Sequence, residues 1–381
     1  MSTTGRHTSP SSAALESAGF VRITSRADGD ALAAAGVLAR ALSERETAFQ
    51  VTVSRTIEER TNRIEDGNGH DDASETVAIG AVDADVPQLG TGDRPATLET
   101  VSLVRELGVE PDPVLALAGA FASGVEPGAG ETEPLLETAR ERGLLERRPG
   151  VAVPTADLAD GLAHSTLYHA PWSGDREAVR ETLDSLALGD RDDDAHRRVG
   201  SLVALETVGG EDAGRQAAET VARVLGPHVT PAAPFETVGG HADVLEATAR
   251  TESGTGVALA IGHDVSEAAL TAWREHGRRA HEALAVASTG RYDGLVVVDA
   301  GEGPVETIAR LVADYRSPEP TVLAVGDGEA ALYAREEPIG SALEGVAREL
   351  EAGYDVGRRR GYLQYDPQLD DSAVITAVRE R

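Results

Sequence analysis

The chain has 381 residues, enough for two ordinary α/β domains, each with its own core. It carries 65 acidic against 35 basic side chains, a formal net charge of -30, and every one of the basic residues is Arg. Aromatics make up 3% and there are 0 cysteines, which excludes disulfides, thiolate nucleophiles and Cys-ligated zinc.

A carboxylate coat of this density stays hydrated in concentrated salt, where self-repulsion is screened over a few ångströms. The composition therefore points to the interior of an extreme halophile. High charge and few aromatics also mark disordered chains, but regular apolar segments recur here along most of the length. In such a solvent the net charge says little about nucleic acid, and only local Arg clusters are informative. Molar salt removes most of the counterion-release free energy of phosphate binding, so any such contact must be short-range and geometric. No apolar run approaches the ~18 residues of a membrane span. Residues 1–12 are polar and lack the apolar core of a signal peptide. The expected location is the cytoplasm, away from membranes.

Residues 1–18 read as a flexible leader. A strand is expected over 20–24, a polar turn over 25–30 and an Ala-rich helix over 31–42. A second strand follows at 49–53, then an exposed Gly-, Asp- and Asn-rich loop at 65–74. A third strand is expected at 76–81, with helices at 96–107 and 114–121. Strands alternating with helices imply a mostly parallel sheet covered on both faces. The charged stretch 173–194, ending in Asp190-Arg191-Asp192-Asp193-Asp194, reads as a connection, and 201–225 as bridging helices. A second α/β unit begins near Phe235. Its expected strands are 256–261, 294–298, 321–325 and 331–333, with a long helix over 265–288. No internal repeat is visible.

The chemistry concentrates where the first strand ends, in Ile23-Thr24-Ser25-Arg26-Ala27-Asp28-Gly29-Asp30. Asp-x-Asp at that point puts two carboxylates at the carboxyl edge of the sheet, where α/β folds bind ligands. One intervening residue lets two hard oxygen ligands converge on Mg²⁺ or Mn²⁺. The competing role is structural: an Asp here also caps the following helix. Spacing alone leaves both open.

The stretch from Ile23 to Leu38 resembles the first motif of the DHH phosphoesterases, a superfamily that includes RecJ and the archaeal GINS-associated nuclease. That motif is a strand, then His-x-Asp-x-Asp-Gly, then small residues before a branched apolar pair. Asp28 and Asp30 fall on its two metal-binding aspartates, while Arg26 replaces the His and Ala31 the Gly. Pro234 to Gly240 and Ala242-Asp243-Val244-Leu245 resemble the start of the second lobe in archaeal members. The resemblance implies a two-lobed α/β fold: an N-terminal, mostly parallel DHH-like domain and a smaller C-terminal DHHA1-like domain. The expected division is 1–18 leader, 19–190 DHH-like domain, 191–230 helical connection and 231–381 DHHA1-like domain.

The chain also departs from the family pattern. No Asp-His-His triplet occurs, and His70-Asp71-Asp72 has the wrong order and place. Gly80 or Ala81 stands where the second motif has its Asp, with Asp83 and Asp85 close behind as substitutes. The small-residue helix that should end in Gly-Asp ends in Ser123. A two-metal site needs about four to six ligands holding ions ~3.5–4 Å apart, which Asp28 and Asp30 alone do not supply. In place of the family's C-terminal Gly-Gly-His segment stands Gly357-Arg358-Arg359-Arg360-Gly361-Tyr362. Arg358, Arg359 and Arg360 are expected to hold phosphates, with Tyr362 as a stacking platform. Pairing with neighbouring carboxylates is the alternative, and Arg147-Arg148 and Arg278-Arg279 read as solvated charges. Gly239-Gly240-His241 lies at the wrong end of its lobe to be that segment.

Two functions follow. The first is a RecJ-like, nuclease-deficient replication or repair scaffold acting on or near single-stranded DNA or RNA. It is akin to the nuclease-dead relative that joins GINS and the MCM helicase. The alternative is a working Mn- or Mg-dependent single-strand exonuclease or small-nucleotide phosphodiesterase that uses Asp28, Asp30 and a displaced Asp83 or Asp85.

Overall fold

The computed structural model describes residues 9–67, 73–186, 192–210, 213–336, 338–357 and 359–381. His70-Asp71-Asp72, Asp190-Arg191, Arg358 and residues 1–8 of the expected leader lie outside the described residues, and the rest of that leader carries a short helix, Ser12–Ser17. The chain divides into two units that interleave along the sequence. One comprises 1–144 and 244–269, the other 145–243 and 270–381.

The first unit is built on β1 (Phe20–Arg26), α1 (Gly29–Glu44), β2 (Ala48–Ser54), α2 (Ile57–Gly67), β3 (Ser74–Ile79), β4 (Gln88–Leu89), α3 (Ala96–Glu106) and α4 (Pro113–Ala122). Its strands pair in the order β2-β1-β3-β4, and every pair is parallel. Parallel neighbours require crossover connections, and α1 and α2 supply the first two. The expected turn over 25–30 shrinks to Ala27-Asp28, because β1 continues through Arg26 and α1 starts at Gly29. From Gly29 to Ala39 every residue of α1 is buried. Its alanines make this possible, since their short side chains let neighbouring elements approach from all sides. The tightest point is Gly36, where an added Cβ would lie 2.6 Å from the Ala260 carbonyl oxygen. Arg40 Nε donates to that same oxygen at 2.8 Å. At α4, Asp112 caps the backbone N–H groups of Val114 and Leu115, and Pro113 occupies the first turn.

In the remaining chain, α5 (Leu158–His164) precedes α6 (Val238–Thr251), α7 (Ser253–Ala260) and α8 (Ser266–Val286). Residues 256–261, expected as a strand, belong mainly to helix α7. Their small apolar side chains carry no period that separates a buried helix from a buried strand. The second unit's main sheet comes from β5 (Thr289–Tyr292), β6 (Leu295–Gly301), β7 (Thr321–Gly326), β8 (Glu329–Ala334), β9 (Gly353–Val356) and β10 (Arg360–Gln364). The helices are α9 (Val305–Tyr315), α10 (Gly340–Glu349) and α11 (Asp371–Arg379). The strand order is β9-β10-β8-β7-β6-β5, and β6 with β7 is its parallel pair. Leu323, Val325, Leu343 and Leu363 are among the residues of its core.

The second unit also encloses polar groups that are internally satisfied. Asp243 accepts from Ser165 Oγ at 3.0 Å, Thr166 N at 3.1 Å, Thr166 Oγ1 at 2.6 Å and Trp273 Nε1 at 2.8 Å. This is the aspartate of the Ala242–Leu245 stretch, and its role here is to hold the segment after α5. His169 and His281 stack in the same region, their Nδ1 atoms 3.2 Å apart. His281 Nε2 meets the Ser165 carbonyl at 2.9 Å and His169 Nε2 meets Arg316 at 2.6 Å. Burial first, and then neighbouring cationic groups, pull His281 down to about 4 and His169 to about 2.

Candidate functional site

The carboxyl end of β1 carries three charged side chains within five residues, all of them buried. Arg26, Asp28 and Asp30 are 7%, 2% and 3% exposed. Arg26 Nε donates to Asp28 Oδ2 in a direct ion pair. The other Asp28 oxygen, Oδ1, accepts from Ala31 N at 2.9 Å, the N-cap bond of α1. The capping role and the acidic edge are thus combined in one residue, with a guanidinium on its second oxygen.

Asp30 is committed elsewhere. Its Oδ2 accepts from Ala96 N and its Oδ1 from Thr97 N, both at 2.9 Å. Thr97 Oγ1 returns a bond to the Asp30 carbonyl at 2.9 Å. Pro95 at the N-cap of α3 makes no side-chain capping bond, so Asp30 caps α3 from the first turn of α1. The N-terminal partial charge of α3 favours an anion there. Burial, and then the nearby Asp28, push the Asp30 carboxyl upward, while the Thr97 N–H and Arg26 act against them.

Two further residues complete the arrangement, and sequence reasoning missed one of them. Glu246 on α6 accepts from Gly29 N at 2.5 Å and pairs with Arg250 at 2.6 Å. The i,i+4 spacing of Glu246 and Arg250 was visible in the sequence, but nothing in it pointed to Gly29. Gly80 follows β3 with φ of 103°, and an added Cβ would lie 3.0 Å from Arg26 Cβ. Gly80, one of the two positions where the resemblance expects the second aspartate, therefore makes room for the Arg26 side chain. Ser123, where the resemblance expects an Asp, turns its hydroxyl to the Ala120 carbonyl at 2.7 Å.

These donors do not fit a two-ion centre. Three of the four carboxylate oxygens of Asp28 and Asp30 accept backbone N–H bonds and the fourth meets a guanidinium. Asp83 and Asp85 are exposed in the loop beyond β3. Among the described residues no three His, Asp or Glu gather in a way that could hold a metal ion.

Of the Arg segment, Gly357 and Arg359 lie between antiparallel β9 and β10, and Arg360 to Tyr362 belong to β10. Arg359 is exposed and its carbonyl accepts from Ala334 N, while Arg360 opens β10 and is half-buried. Tyr362 is 3% exposed, and its hydroxyl donates to Glu329 Oε2 at 2.9 Å. The stacking role expected of Tyr362 is corrected by this placement: an enclosed ring offers no face to a base. Arg148 pairs with Glu146, and Arg278 with Glu275 and Glu282.

Residues 287–380 match the family described as "Uncharacterized protein rrnAC1427, C-terminal domain". The Haloarcula marismortui protein described as "Uncharacterized protein rrnAC1427" is 45% identical over 378 residues, spanning 93% of this chain and 96% of its own length. Among solved structures, CDC45 from Entamoeba histolytica is similar with a TM-score of 0.59 at 8% identity, over 94% of this chain and 95% of that one. A RecJ exonuclease bound to manganese is similar with a TM-score of 0.46 at 16% identity, over 97% of this chain and 92% of that one.

Proposed function

We propose that this chain, which belongs to the family of Haloarcula marismortui rrnAC1427 and has a DHH/RecJ-like two-domain α/β fold, is a non-cleaving scaffold for single-stranded nucleic acid. The observation that carries this reading is the Arg26–Asp28 pair. A guanidinium stays charged at any accessible pH, so it neutralises Asp28 permanently where a metal ligand would need an open lone pair. Asp30, by capping α3, is equally engaged. Without a metal-bound water of lowered pKa there is no ready nucleophile for a phosphodiester.

In this reading the β9–β10 turn supplies the nucleic-acid contact, with Arg359 presented to solvent and Arg358 and Arg360 beside it in sequence. The replication setting, with GINS and the MCM helicase as partners, extends the resemblance to the nuclease-dead relative. The carboxylate-rich surface suits a halophile's cytoplasm, in keeping with a relative from Haloarcula.

The test is turnover of 5′-labelled single-stranded DNA and RNA in molar KCl with Mn²⁺ or Mg²⁺, beside Asp28→Asn/Asp30→Asn. The expected result is no cleavage, with oligonucleotide binding by fluorescence anisotropy that weakens in Arg359→Gln. Metal-dependent cleavage abolished by the double substitution would overturn the scaffold reading. It would establish instead the exonuclease or phosphodiesterase completed by Asp83 or Asp85.

A further inference from the structure

Well before its carboxyl end, the first sheet carries a polar patch. β1 and β2 run in register with Arg22 opposite Gln50 and Thr24 opposite Thr52. Residues two apart on a strand share a face, so these four side chains lie together. Both faces of a parallel sheet are ordinarily covered by apolar side chains. The other face of β1 obeys this rule, with Val21 and Ile23 at 0% and 1% exposure. The polar face instead borders a cavity of about 240 Å³, completed by Arg63 and Asp66 of α2.

The patch is held in place. Arg22 Nη1 donates to Ser74 Oγ at 2.8 Å, and its guanidinium carbon lies 5.1 Å from the centroid of the Phe20 ring. Thr52 Oγ1 donates to Thr24 Oγ1 at 3.4 Å. Elsewhere on this surface guanidiniums meet carboxylates, as Arg94 does with Glu131 and Arg291 with Glu319. No ion pair joins Arg22 or Arg63 to a carboxylate among the described residues. Among the described residues the cavity thus presents two guanidiniums against the single carboxylate of Asp66, a local excess of positive charge in a chain with a net charge of -30.

We infer that this cavity binds a nucleoside monophosphate, with Arg22 and Arg63 on the phosphate. The guanidinium fork matches phosphate oxygens in two parallel bonds and is the side chain suited to that geometry. Gln50 offers both a donor and an acceptor to a base edge, and the two threonine hydroxyls and Asp66 suit sugar hydroxyls. At about 240 Å³ the cavity lies just below the roughly 300–1,000 Å³ of pockets for drug-sized molecules, room for one partly enclosed nucleotide and not for a strand. The site is distinct from Asp28 and Asp30 and does not rest on the scaffold reading.

The experiment is equilibrium dialysis of radiolabelled AMP against the full chain in molar KCl, with inorganic phosphate as competitor. Saturable binding is expected, weakened about tenfold by Arg63→Gln, which is about 1.4 kcal/mol. Arg22→Gln should weaken it similarly, while Arg278→Gln should leave it unchanged. Arg63 is exposed, so its substitution leaves the fold intact, and Gln50→Ala serves if Arg22→Gln fails to fold. Absence of saturable binding up to about 10 mM AMP, roughly ten times a millimolar Kd, would overturn the inference, as would equal binding by Arg63→Gln. Inorganic phosphate binding as tightly as AMP would overturn the nucleoside assignment.

Discussion

Replacing Arg26 with Leu would leave Asp28 in a site 2% exposed to solvent with its ion-pair partner gone. Removing one member of a buried pair typically costs about 3–5 kcal/mol, because the remaining charge is neither solvated nor neutralised. The ceiling is set by protonation. Taking an ordinary Asp from a pKa of about 3.9 to the neutral form at pH 8 costs about 5–6 kcal/mol, at 1.36 kcal/mol per unit. At pH 5 the same escape costs only about 1.5 kcal/mol. Arg26→Leu is therefore expected to lose about 3–5 kcal/mol at pH 8 and no more than about 1.5 kcal/mol at pH 5. Arg26→Leu/Asp28→Asn should recover most of the loss, since Asn caps a helix about as well as Asp. Urea unfolding in molar KCl, followed by far-UV circular dichroism, reads all three. A loss below about 1 kcal/mol at pH 8, the value of an exposed pair, would refute the reasoning. A double variant as unstable as Arg26→Leu would refute it too.

The buried His169–His281 pair gives the second unit a stability that falls with pH. Unfolded imidazoles of pKa 6.5 take up protons that the folded chain, with His281 near 4 and His169 near 2, does not. Stability is full above 6.5 and declines below it, by about 2 kcal/mol per histidine at pH 5. Fluorescence of Trp172 and Trp273 during urea unfolding at pH 8 and pH 5 measures the fall, and His169→Gln/His281→Gln should remove most of it. Equal slopes in both proteins would exclude the pair as the cause. Two glycines should respond in opposite directions to alanine. Gly36→Ala pushes a methyl against the Ala260 carbonyl and should cost about 1–3 kcal/mol. Gly254→Ala, in α7 with open space around it, should stabilise by about 0.5–1 kcal/mol. Melting temperatures of the two variants decide both.

The β1–α1–β2 start was legible because its signals are local: a branched strand, an Asp-capped turn and an Ala-rich helix. Helix α2 went unread, although Thr56 and Glu59 form a capping box before Ile57. Thr56 Oγ1 accepts from Glu59 N at 3.2 Å, and Glu59 Oε2 from Thr56 N at 3.3 Å. Its polar residues carried no apolar period to mark them, and its last turn, 65–67, read as part of the Gly-rich loop beyond. α7 was mistaken because a run of Gly, Val, Ala and Leu buried on all sides has no diagnostic period. At the site, the sequence showed that Arg26 had displaced a His and that Asp28 could cap. It could not show that the guanidinium turns onto the aspartate two residues later, or that Asp30 reaches the distant start of α3. The first is a choice of side-chain direction that two-residue spacing leaves open, and the second is a contact across 66 positions, Asp30 with Ala96. Tyr362 was misplaced for a similar reason: that β10 lies inside its sheet, between β9 and β8, is a property of strand order, not of the segment itself.

The packing of Arg26 over Gly80 also bears on how this site can change over generations. Restoring a histidine at 26 alone strands Asp28 without its cation. Restoring an aspartate at 80 alone drives a Cβ to 3.0 Å from that of Arg26, on a backbone with φ of 103°, which side chains rarely tolerate. The second obstacle is independent of the first, because any side chain at 26 keeps the Cβ that a Cβ added at 80 would meet. The edge of this sheet is thus held by two separate locks, an ion pair at 26 and 28 and a left-handed glycine at 80, and a change at either position meets its own cost.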